Sequence, residues 1–427
     1  MAKINEAKIN QEKVGKPGDR GKASTLELLS MIREAAERIH DSVYYSPCPY
    51  SAELSASTGQ QVYLKLENLQ MTGAYKERGA LNKILLLSPE EKKRGVICAS
   101  AGNHAQAVAY HATLRKIRST IVMPTTTPMV KVAATQNYGA NVILHGVNYD
   151  EACEHAFKLG REQGLTFVHA FDDIAVIAGQ GTIGLELLEQ CPQLEAVVVP
   201  VGGGGLVAGV ACAIKELRPE VRIVGVETAR LPSMLLAIEK RELVTIPAAS
   251  TIADGIAVRR AGEVTFPLVA KYVDEIVTVE EEEIASAILT LLEREKTLAE
   301  GAGAAGIAAL LQHKTSLNGQ HTAVIIGGGN IDVSLLSRII ERGLVKDGRL
   351  VRIRIYLPDR PGALAELSSV IAAQRANIVE LLFNRAYYGV SLGDTAIDVT
   401  VETRGAEHLA GLLAAISGAG YTHERIL

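Results

Sequence analysis

The sequence predicts an α/β protein in which a large, doubly wound region precedes a small ferredoxin-like unit with the order βαββαβ. Three observations support this fold class. Short, continuously apolar runs alternate with helical patterns, several of these runs end in glycine-rich turns, and the pattern changes to alternating apolar and polar residues near position 345. Continuously apolar strands are typical of a parallel sheet that is covered on both faces.

The elements of the large region follow from residue periodicity. Ser24 and Glu27 have the spacing of a capping box, and the apolar residues that follow repeat on one helical face. Helical patterns also cover Ala105–Arg115 and Ser286–Glu295. Short strands are predicted at Val62–Leu66, Val96–Ala99, Ile121–Met123, Val142–Leu144, Ala196–Val201, Ile223–Val226 and Ala323–Ile326, and most of them are continuously apolar.

The C-terminal unit shows alternation instead of continuous apolar runs. A charged, glycine-containing segment at 341–350 is interpreted as the linker that precedes it. The predicted elements are a strand at Val351–Leu357, a turn at Asp359–Gly362, a helix at Ala363–Arg375, strands at Ile378–Phe383 and Ile397–Val401, a helix at Glu407–Ala419 and a short final strand. The chain therefore divides into a flexible tail at 1–23, an α/β region at 24–340, the linker at 341–350 and the terminal unit at 351–427.

Composition excludes several classes of protein. A formal net charge of −4 over 427 residues gives no basic face for nucleic acid or for a membrane surface. The five cysteines are odd in number and form no CxxC pair, which argues against a disulfide framework and a zinc site and favours a reducing compartment. The apolar run 196–214 contains Pro200 and four glycines, which favours a buried strand, turn and helix over a membrane span. Together with a polar N-terminal segment, these features predict a cytoplasmic protein.

Four consecutive glycines, Gly202 to Gly205, follow a predicted strand and precede a helix that begins near Leu206. Glycine lets several backbone amides converge, and the N-terminus of a helix favours an anion. The pattern matches neither a Walker loop nor the spaced glycines of dinucleotide-binding folds. Phosphate binding is our interpretation, and a tight turn that allows close helix packing is the alternative.

Three further loops also follow predicted strands. Lys76 lies among aromatic and small residues, where burial would lower its pKa and make it a nucleophile for aldehydes; a solvated surface lysine is the alternative. Ser100–His104 offers backbone amides to a carboxylate, or is simply a polar turn with a helix cap. Gly327–Asn330 adds an amide side chain. Because ligands of open α/β sheets bind beyond the carboxyl ends of the strands, all four loops are predicted to share one mouth.

These motifs resemble the threonine dehydratases (threonine ammonia-lyases) of the fold-type II pyridoxal-phosphate family, which also contains serine dehydratases and serine racemases. The resemblance spans residues 24–340 and rests on Leu64–Gln70, Thr72–Ala80, Ser100–His104, His169–Asp173, Ala178–Thr182, Gly202–Gly205, Ala253–Val258 and Glu300–Ala304. It implies a tryptophan synthase β-like fold of two doubly wound subdomains. It also implies pyridoxal 5′-phosphate as cofactor and conversion of L-threonine, and of L-serine, to a 2-oxo acid and ammonia.

The resemblance also implies a role for each matching residue. Lys76 would hold the cofactor as an imine and act as the base at Cα, and Tyr75 would lie beside the cofactor ring. Asn103 would donate to the cofactor 3′-oxygen. The substrate carboxylate would bind Ser100, Ala101, Gly102, Asn103 and His104. The remaining cofactor-binding residues would be Gly202, Gly203, Gly204, Gly205, Leu206, Gly255, Glu300 and Gly327.

Three positions depart from the family pattern. Gly327 stands where a Ser, Cys or Thr usually faces the pyridine nitrogen, which leaves a water molecule or a neighbouring group for that place. Ala101 replaces the second serine of the racemases, which argues against racemisation. Glu227 matches the first ligand of a divalent-metal cluster, but the aspartate partner corresponds to Ser233, so no metal is predicted.

The C-terminal unit resembles an ACT domain, a module that binds amino acids and regulates metabolic enzymes. Arg360, Pro361 and Gly362 lie at the turn where such domains usually bind ligands. The resemblance implies a homo-oligomer, a tetramer or dimer, that feeds isoleucine biosynthesis and is allosterically regulated by isoleucine or valine; oligomerisation without a ligand is the alternative. For the whole chain, the alternatives are a serine dehydratase or racemase, and a non-catalytic amino-acid sensor, against which the intact Lys76 argues.

Overall fold

The protein is described by a computed structural model that covers residues 25–384 and 393–426, so the tail predicted at 1–23 lies outside the described residues. Its strands are β1 (Tyr50–Ser51), β2 (Gln61–Lys65), β3 (Val96–Ala99), β4 (Ser119–Met123), β5 (Asn141–Leu144), β6 (Thr166–Phe167), β7 (Ala196–Pro200), β8 (Arg222–Thr228), β9 (Glu275–Val279), β10 (His321–Ile325), β11 (Leu350–Pro358), β12 (Asn377–Asn384), β13 (Asp394–Glu402) and β14 (Thr422–Ile426).

Helices occupy most of the segments between the strands. They are α1 (Thr25–Ile39), α2 (Ala52–Thr58), α3 (Lys76–Leu85), α4 (Pro89–Arg94), α5 (Asn103–Leu114), α6 (Met129–Asn137), α7 (Tyr149–Gln163), α8 (Ile174–Gln190), α9 (Gly205–Leu217), α10 (Ser233–Lys240), α11 (Thr265–Tyr272), α12 (Glu281–Glu293), α13 (Gly301–Leu311), α14 (Val333–Lys346), α15 (Ala363–Ala373) and α16 (Ala406–Gly418). Within the described ranges, no helix is both long enough and apolar enough to span a bilayer.

Two parallel sheets form the large region, as the sequence predicts. The larger sheet has the order β1-β2-β10-β7-β8-β9, and only β1 is antiparallel to its neighbour. The chain leaves it after β2, builds the smaller sheet β5-β4-β3-β6, and returns at β7. The smaller subdomain is therefore an insertion in the larger one.

Strand β7 explains why the buried strands read as continuously apolar. Val197 and Val199 pack into one core with α1, α8 and α9, whereas Ala196 and Val198 pack into the opposite core with α12 and α13. Successive side chains of a strand point to opposite faces, so a strand buried on both faces needs an apolar residue at every position.

A buried ion-pair network joins α3 to its surroundings. The guanidinium of Arg78 donates to both carboxylate oxygens of Glu67, at 2.7 and 2.8 Å, and to both oxygens of Glu186 on α8, at 2.5 and 2.9 Å. Lys65 of β2 also donates to Glu186, at 2.5 Å. Arg78, Glu67 and Lys65 have no exposed surface, and the network therefore fixes α3 relative to β2 and α8.

The C-terminal unit has the predicted βαββαβ order. Its antiparallel sheet runs β12-β13-β11-β14, and α15 and α16 pack on one face around Ile353, Ile355, Val399 and Leu412. The alternation along β11 buries the apolar residues against these helices and leaves Arg352 exposed. Residues 385–392, between β12 and β13, lie outside the described ranges.

The linker predicted at 341–350 is wrong in its extent. Helix α14 continues to Lys346 and β11 begins at Leu350, so that only Asp347–Arg349 connect them. The charged residues lie on the outer face of an amphipathic helix, whose inner face buries Ile339. Gly343 belongs to that inner face, where a Cβ would lie 2.1 Å from Leu289 of α12. The glycine thus permits close helix packing rather than marking a linker.

Candidate active site

A cavity of about 1150 Å³ lies between the two subdomains. Its wall includes the start of α3, the loop from β3 to α5, the 3-10 turn Asp254–Ile256 and the loop after β10. Three of the four loops that the sequence predicts at one mouth therefore do line it, through Lys76, Ser100–His104 and the segment containing Gly327 and Asn330. The fourth, the tetraglycine turn, lies behind the wall.

Lys76 is the first residue of α3, half-buried in the cavity wall. Its Nζ donates to the carbonyl oxygen of Ala170 at 2.8 Å. Burial lowers the pKa of Lys76 to about 8, although the nearby charge of Glu300 opposes this shift. A substantial fraction of the amine is therefore neutral near physiological pH, and a neutral amine attacks carbonyl groups.

Tyr75 and Gly327 pack together beside this amine. The Tyr75 ring centroid is 5.2 Å from Lys76 Nζ, and the Tyr75 amide donates to the Gly327 carbonyl at 3.0 Å. A Cβ on Gly327 would lie 3.2 Å from Cδ1 of the Tyr75 ring. The missing side chain at Gly327 therefore lets the aromatic ring approach the wall. Burial and the charge of Glu300 raise the pKa of Tyr75, so that its phenol remains protonated.

Asn103 is oriented by a chain of hydrogen bonds. Asn330 Nδ2 donates to the Thr72 carbonyl at 2.7 Å and to Asn103 Oδ1 at 2.8 Å. Because a carbonyl only accepts, this chain identifies Oδ1 as the Asn103 atom that faces Asn330. Asn103 Nδ2 then donates to Glu300 Oε1 at 2.8 Å, and its second hydrogen remains for a ligand in the cavity.

Glu300 lies at the N-terminus of α13 and is only 5% exposed. Burial raises its pKa to about 7, and the charge of Asp254 adds to this rise. The hydrogen bond from Asn103 and the charges of Lys131 and Lys76 oppose it. Gly255 and Gly328 leave room for this carboxyl, since a Cβ on either would lie about 3 Å from its Oε1, at 3.1 and 2.7 Å.

The Ser100–His104 turn presents its backbone to the cavity. It connects β3 to α5, and the Gly102 amide donates to the Ser100 hydroxyl at 3.3 Å. His104 turns its ring inwards, where Nε2 lies 2.9 Å from the Val168 carbonyl and must donate to it. Burial and the charge of Lys76 lower the pKa of His104 to about 3, so the ring is neutral. The backbone amides, rather than this imidazole, are the groups available to an anion.

The tetraglycine turn connects β7 to α9, which begins at Gly205, next to the predicted start near Leu206. Gly204 has φ +94°, a conformation that favours glycine. Among the described residues, the amides of Gly202, Gly203 and Gly204 have no hydrogen-bond acceptor. The Phe171 ring lines the cavity and lies over Gly203, where a Cβ would lie 2.4 Å from it. The free amides suit an anion, and Phe171 lies between Gly203 and the cavity.

Several residues at this site had no predicted role. Lys131 of α6 pairs with Asp254 at 2.6 Å, and Arg259 pairs with Asp150 of α7 at 2.5 Å, so that two ion pairs join the subdomains at the cavity mouth. Asp254 belongs to the motif Ala253–Val258, but no motif includes Lys131, because a lone lysine on a helix is ordinarily solvated. The sequence likewise gave no role to Phe171 or to the Ala170 carbonyl.

Glu227 has partners that do not require a metal ion. Its two oxygens accept the amides of Met234 and Leu235 at 2.9 and 2.8 Å, at the start of α10. Burial raises the pKa of Glu227 to about 7, against the effect of these hydrogen bonds. Among the described residues, no three His, Cys, Asp or Glu side chains converge as metal ligands would.

The depressed pKa of Lys76 predicts a pH profile for its reaction with aldehydes. We expect the rate of labelling by a small aldehyde, trapped with borohydride, to rise about tenfold per pH unit and to level off near pH 8, because the protonated amine is unreactive. The measurement is peptide mapping by mass spectrometry, with exposed Lys92 in the same digest as the reference. A Lys76 rate that still rises at pH 10 would contradict a buried amine.

Comparisons with known proteins extend this description. A family model described as "Pyridoxal-phosphate dependent enzyme" matches residues 39–328, and one described as "ACT domain" matches residues 347–420. The L-threonine ammonia-lyase of Thermotoga maritima is 49% identical over 92% of this chain and 98% of its own length. That of Geobacter sulfurreducens is 48% identical over the same shares. The processed form of threonine deaminase isoform 2 from Solanum lycopersicum superimposes with a TM-score of 0.71 and 37% identity, over 77% of this chain and 91% of that one.

Proposed function

The chain belongs to the family of pyridoxal-phosphate dependent enzymes and carries a C-terminal ACT domain, and from this premise we propose the function of its cavity. The protein is a threonine ammonia-lyase, which converts L-threonine to 2-oxobutanoate and ammonia. The strongest support is the similarity to two L-threonine ammonia-lyases, which are 49% and 48% identical to this chain over 92% of its length. An amine of lowered pKa in the cavity wall agrees with this activity.

The residues present fit the cofactor. Pyridoxal phosphate needs an amine for its aldehyde, donors for its phosphate and a donor for its 3′-oxygen. Lys76 offers the amine and Asn103 has a free N–H. The unpaired amides of Gly202–Gly204 and the first turn of α9, including Leu206, would hold the phosphate. Phe171, a side chain that can change rotamer, lies where a phosphate would approach these amides.

The cofactor, when bound, delocalises the charge that develops as the Cα proton leaves. Lys76 would take that proton through Nζ, whose lowered pKa suits a base near neutral pH. The amides of Ser100–His104 would orient the substrate carboxylate, and Asn103, held by Asn330 and Glu300, would position the ring. Tyr75 would pack beside the ring, Gly255 and Gly327 would leave room for it, and the buried Glu300 would adjust the local charge.

Elimination is favoured over racemisation by the residue at position 101. A racemase needs a second acid or base on the opposite face of the ring. Ala101 lines the cavity at the corresponding place, and a methyl group transfers no proton.

Substrate preference is tested by the rate of 2-oxo acid formation from L-threonine and L-serine. We expect L-threonine to be preferred by about tenfold or more in kcat/KM, which is the discrimination that one methyl group in an apolar pocket supports. A preference for L-serine would indicate a serine dehydratase, formation of D-serine would indicate a racemase, and a cofactor-loaded protein inactive on both would indicate a sensor.

The ACT domain supports regulation by an amino acid. We propose that isoleucine or valine binds near Arg360, Pro361 and Gly362, at the turn before α15, and that the enzyme acts in isoleucine biosynthesis as a cytoplasmic tetramer or dimer. Gly362 has φ +91° and is exposed with Arg360, which pairs with Glu366 at 2.8 Å. The turn therefore presents exposed backbone at the start of a helix.

Effector binding predicts a measurable coupling between sites. We expect saturating isoleucine or valine to change KM for L-threonine about 5- to 150-fold, the range of ordinary allosteric coupling. Arg360→Ala should weaken this response, whereas Arg404→Ala, at an exposed arginine elsewhere in the same domain, should not. If no branched-chain amino acid alters either KM or the oligomeric state, the domain has only an assembly role.

A further inference from the structure

Two cysteines that are distant in the sequence lie in contact. The Sγ atoms of Cys48 and Cys191 are 3.6 Å apart, although 143 positions separate them along the chain. Cys48 is half-buried and Cys191 is buried. Neither lines the active-site cavity, so that catalysis does not explain the pair.

The backbone around Cys48 is held rigidly. Pro47 and Pro49 flank it, and proline fixes its own φ and restricts the preceding residue. The carbonyls of both prolines accept amides of the neighbouring segment, from Leu66 to Pro47 and from Leu64 to Pro49, each at 3.0 Å. The thiol of Cys48 is therefore held in one place rather than swinging on a loop.

The two cysteine segments are also tied directly to each other. Gln190, which precedes Cys191 at the end of α8, donates through Nε2 to the Ser46 carbonyl at 2.9 Å. Lys65 Nζ donates to the same carbonyl at 2.7 Å and to Gln190 Oε1 at 2.9 Å. A fixed contact of this kind gives the two sulfurs a high effective concentration for each other.

The surroundings favour one thiolate in the pair. A hydrogen bond from Cys48 lowers the pKa of Cys191; burial opposes this shift and the charge of Lys65 adds to it. The same hydrogen bond, together with burial, raises the pKa of Cys48. Cys191 therefore gives up its own proton more readily, and it can then take the proton of Cys48, the more exposed sulfur, across the 3.6 Å contact. Thiolates, not thiols, attack disulfides.

We propose that Cys48 and Cys191 form a reversible disulfide site, whose oxidant is a low-molecular-weight disulfide. Cys48 passes its proton to the Cys191 thiolate as its Sγ attacks one sulfur of that disulfide, whose S–S bond breaks and releases a thiolate. Cys191 then loses this proton to the released thiolate or to water and attacks Cys48 Sγ, which releases the second thiolate. The two protein sulfurs lose two electrons and two protons, which convert the small disulfide to two thiols. The sulfurs need to move from 3.6 Å to a bond length of about 2.05 Å.

The cross-link would join the segment before β1 to the end of α8, next to the residues that hold Arg78. It would close a loop of more than one hundred residues in the unfolded chain, which raises Tm by about 5 °C for a protein of this size. Activity should stay within about twofold, since both sulfurs lie outside the cavity wall.

The experiment treats the holoenzyme with oxidised glutathione and maps peptides by mass spectrometry without reduction. We expect a peptide joining Cys48 to Cys191, lighter by two hydrogen atoms, that dithiothreitol reverses together with the rise in Tm. Cys48→Ser and Cys191→Ser should each prevent it. A variant with Cys98→Ala, Cys153→Ala and Cys212→Ala should still form it, which guards against failure of either serine variant to fold.

Three outcomes would overturn the proposal. These are a glutathione adduct on Cys48 that never proceeds to the cross-link, a cross-link between other cysteines, and full recovery of free thiols after exposure. Mass spectrometry detects each of these outcomes without an activity assay, so the result is independent of the proposed ammonia-lyase activity.

Discussion

Replacing Lys76 by alanine should lower kcat/KM for L-threonine by about 10⁴-fold or more, because the change removes both the amine that binds the cofactor and the proposed base. Lys76→Arg should lose as much activity, although it keeps the positive charge, since a guanidinium remains protonated and does not condense with an aldehyde. The assay measures 2-oxobutanoate formation, together with the visible absorbance of lysine-bound cofactor, which both variants should lack.

The control for this pair is Lys92→Ala, at an exposed lysine of α4. It should retain activity within about twofold, as surface substitutions usually do. Circular dichroism of all three variants should match that of the wild type. Retention of more than about a tenth of wild-type activity by Lys76→Ala would exclude the proposed role of this amine.

Arg78→Ala should destabilise the protein by about 3–5 kcal/mol, because it leaves the buried carboxylate of Glu67 without its main partner and removes one of the two cations that pair with Glu186. Burial alone would raise the pKa of Glu67. The positive charge of Arg78 and its hydrogen bonds to Glu67 hold this pKa below the usual value of 4.5. The measurement is urea unfolding of the cofactor-loaded enzyme, followed by a probe in the large region.

The sign of the pH effect follows from this shift. Glu67 has a lower pKa in the folded protein than in the unfolded chain, so it stabilises the fold above pH 4.5 and this contribution is lost as pH falls further. The Arg78→Ala variant should lose less stability on acidification than the wild type does. Arg294→Ala, which breaks an exposed pair with Glu53, should change stability by less than about 1 kcal/mol. Equal effects of the two substitutions would contradict the network.

Sequence periodicity located the strands that are buried on both faces, because burial demands an apolar residue at each position. It did not locate β1, β6 or β9. The first two have only two residues each, too few to show a period, and β9 is an edge strand whose Glu275 and Thr278 are partly exposed. Packing between distant elements could not be predicted from the sequence either. The charged residues of α14 indicated a linker, but Ile339 and Gly343 of this helix pack against α12.

The residues of the candidate site that belong to motifs could be predicted, whereas contacts between distant side chains could not. Lys76, Asn103 and Glu300 belong to ordered motifs, and the structure brings all three to one cavity. Phe171 lies over Gly203, which depends on a side-chain rotamer that no motif specifies. The pairs Lys131–Asp254 and Arg259–Asp150 join residues more than 100 positions apart, and exposed charges have no pattern that reveals such pairing.

Helix α14 connects the cavity wall to the C-terminal unit. Its first residues, Val333 and Ser334, form part of the cavity wall, and its last turn is joined to β11 by only three residues, 347–349. Fourteen residues of helix make a rod about 21 Å long, and Ile339 and Gly343 anchor it near its middle. The helix therefore forms a direct structural connection between β11 of the ACT domain and the wall of the cavity.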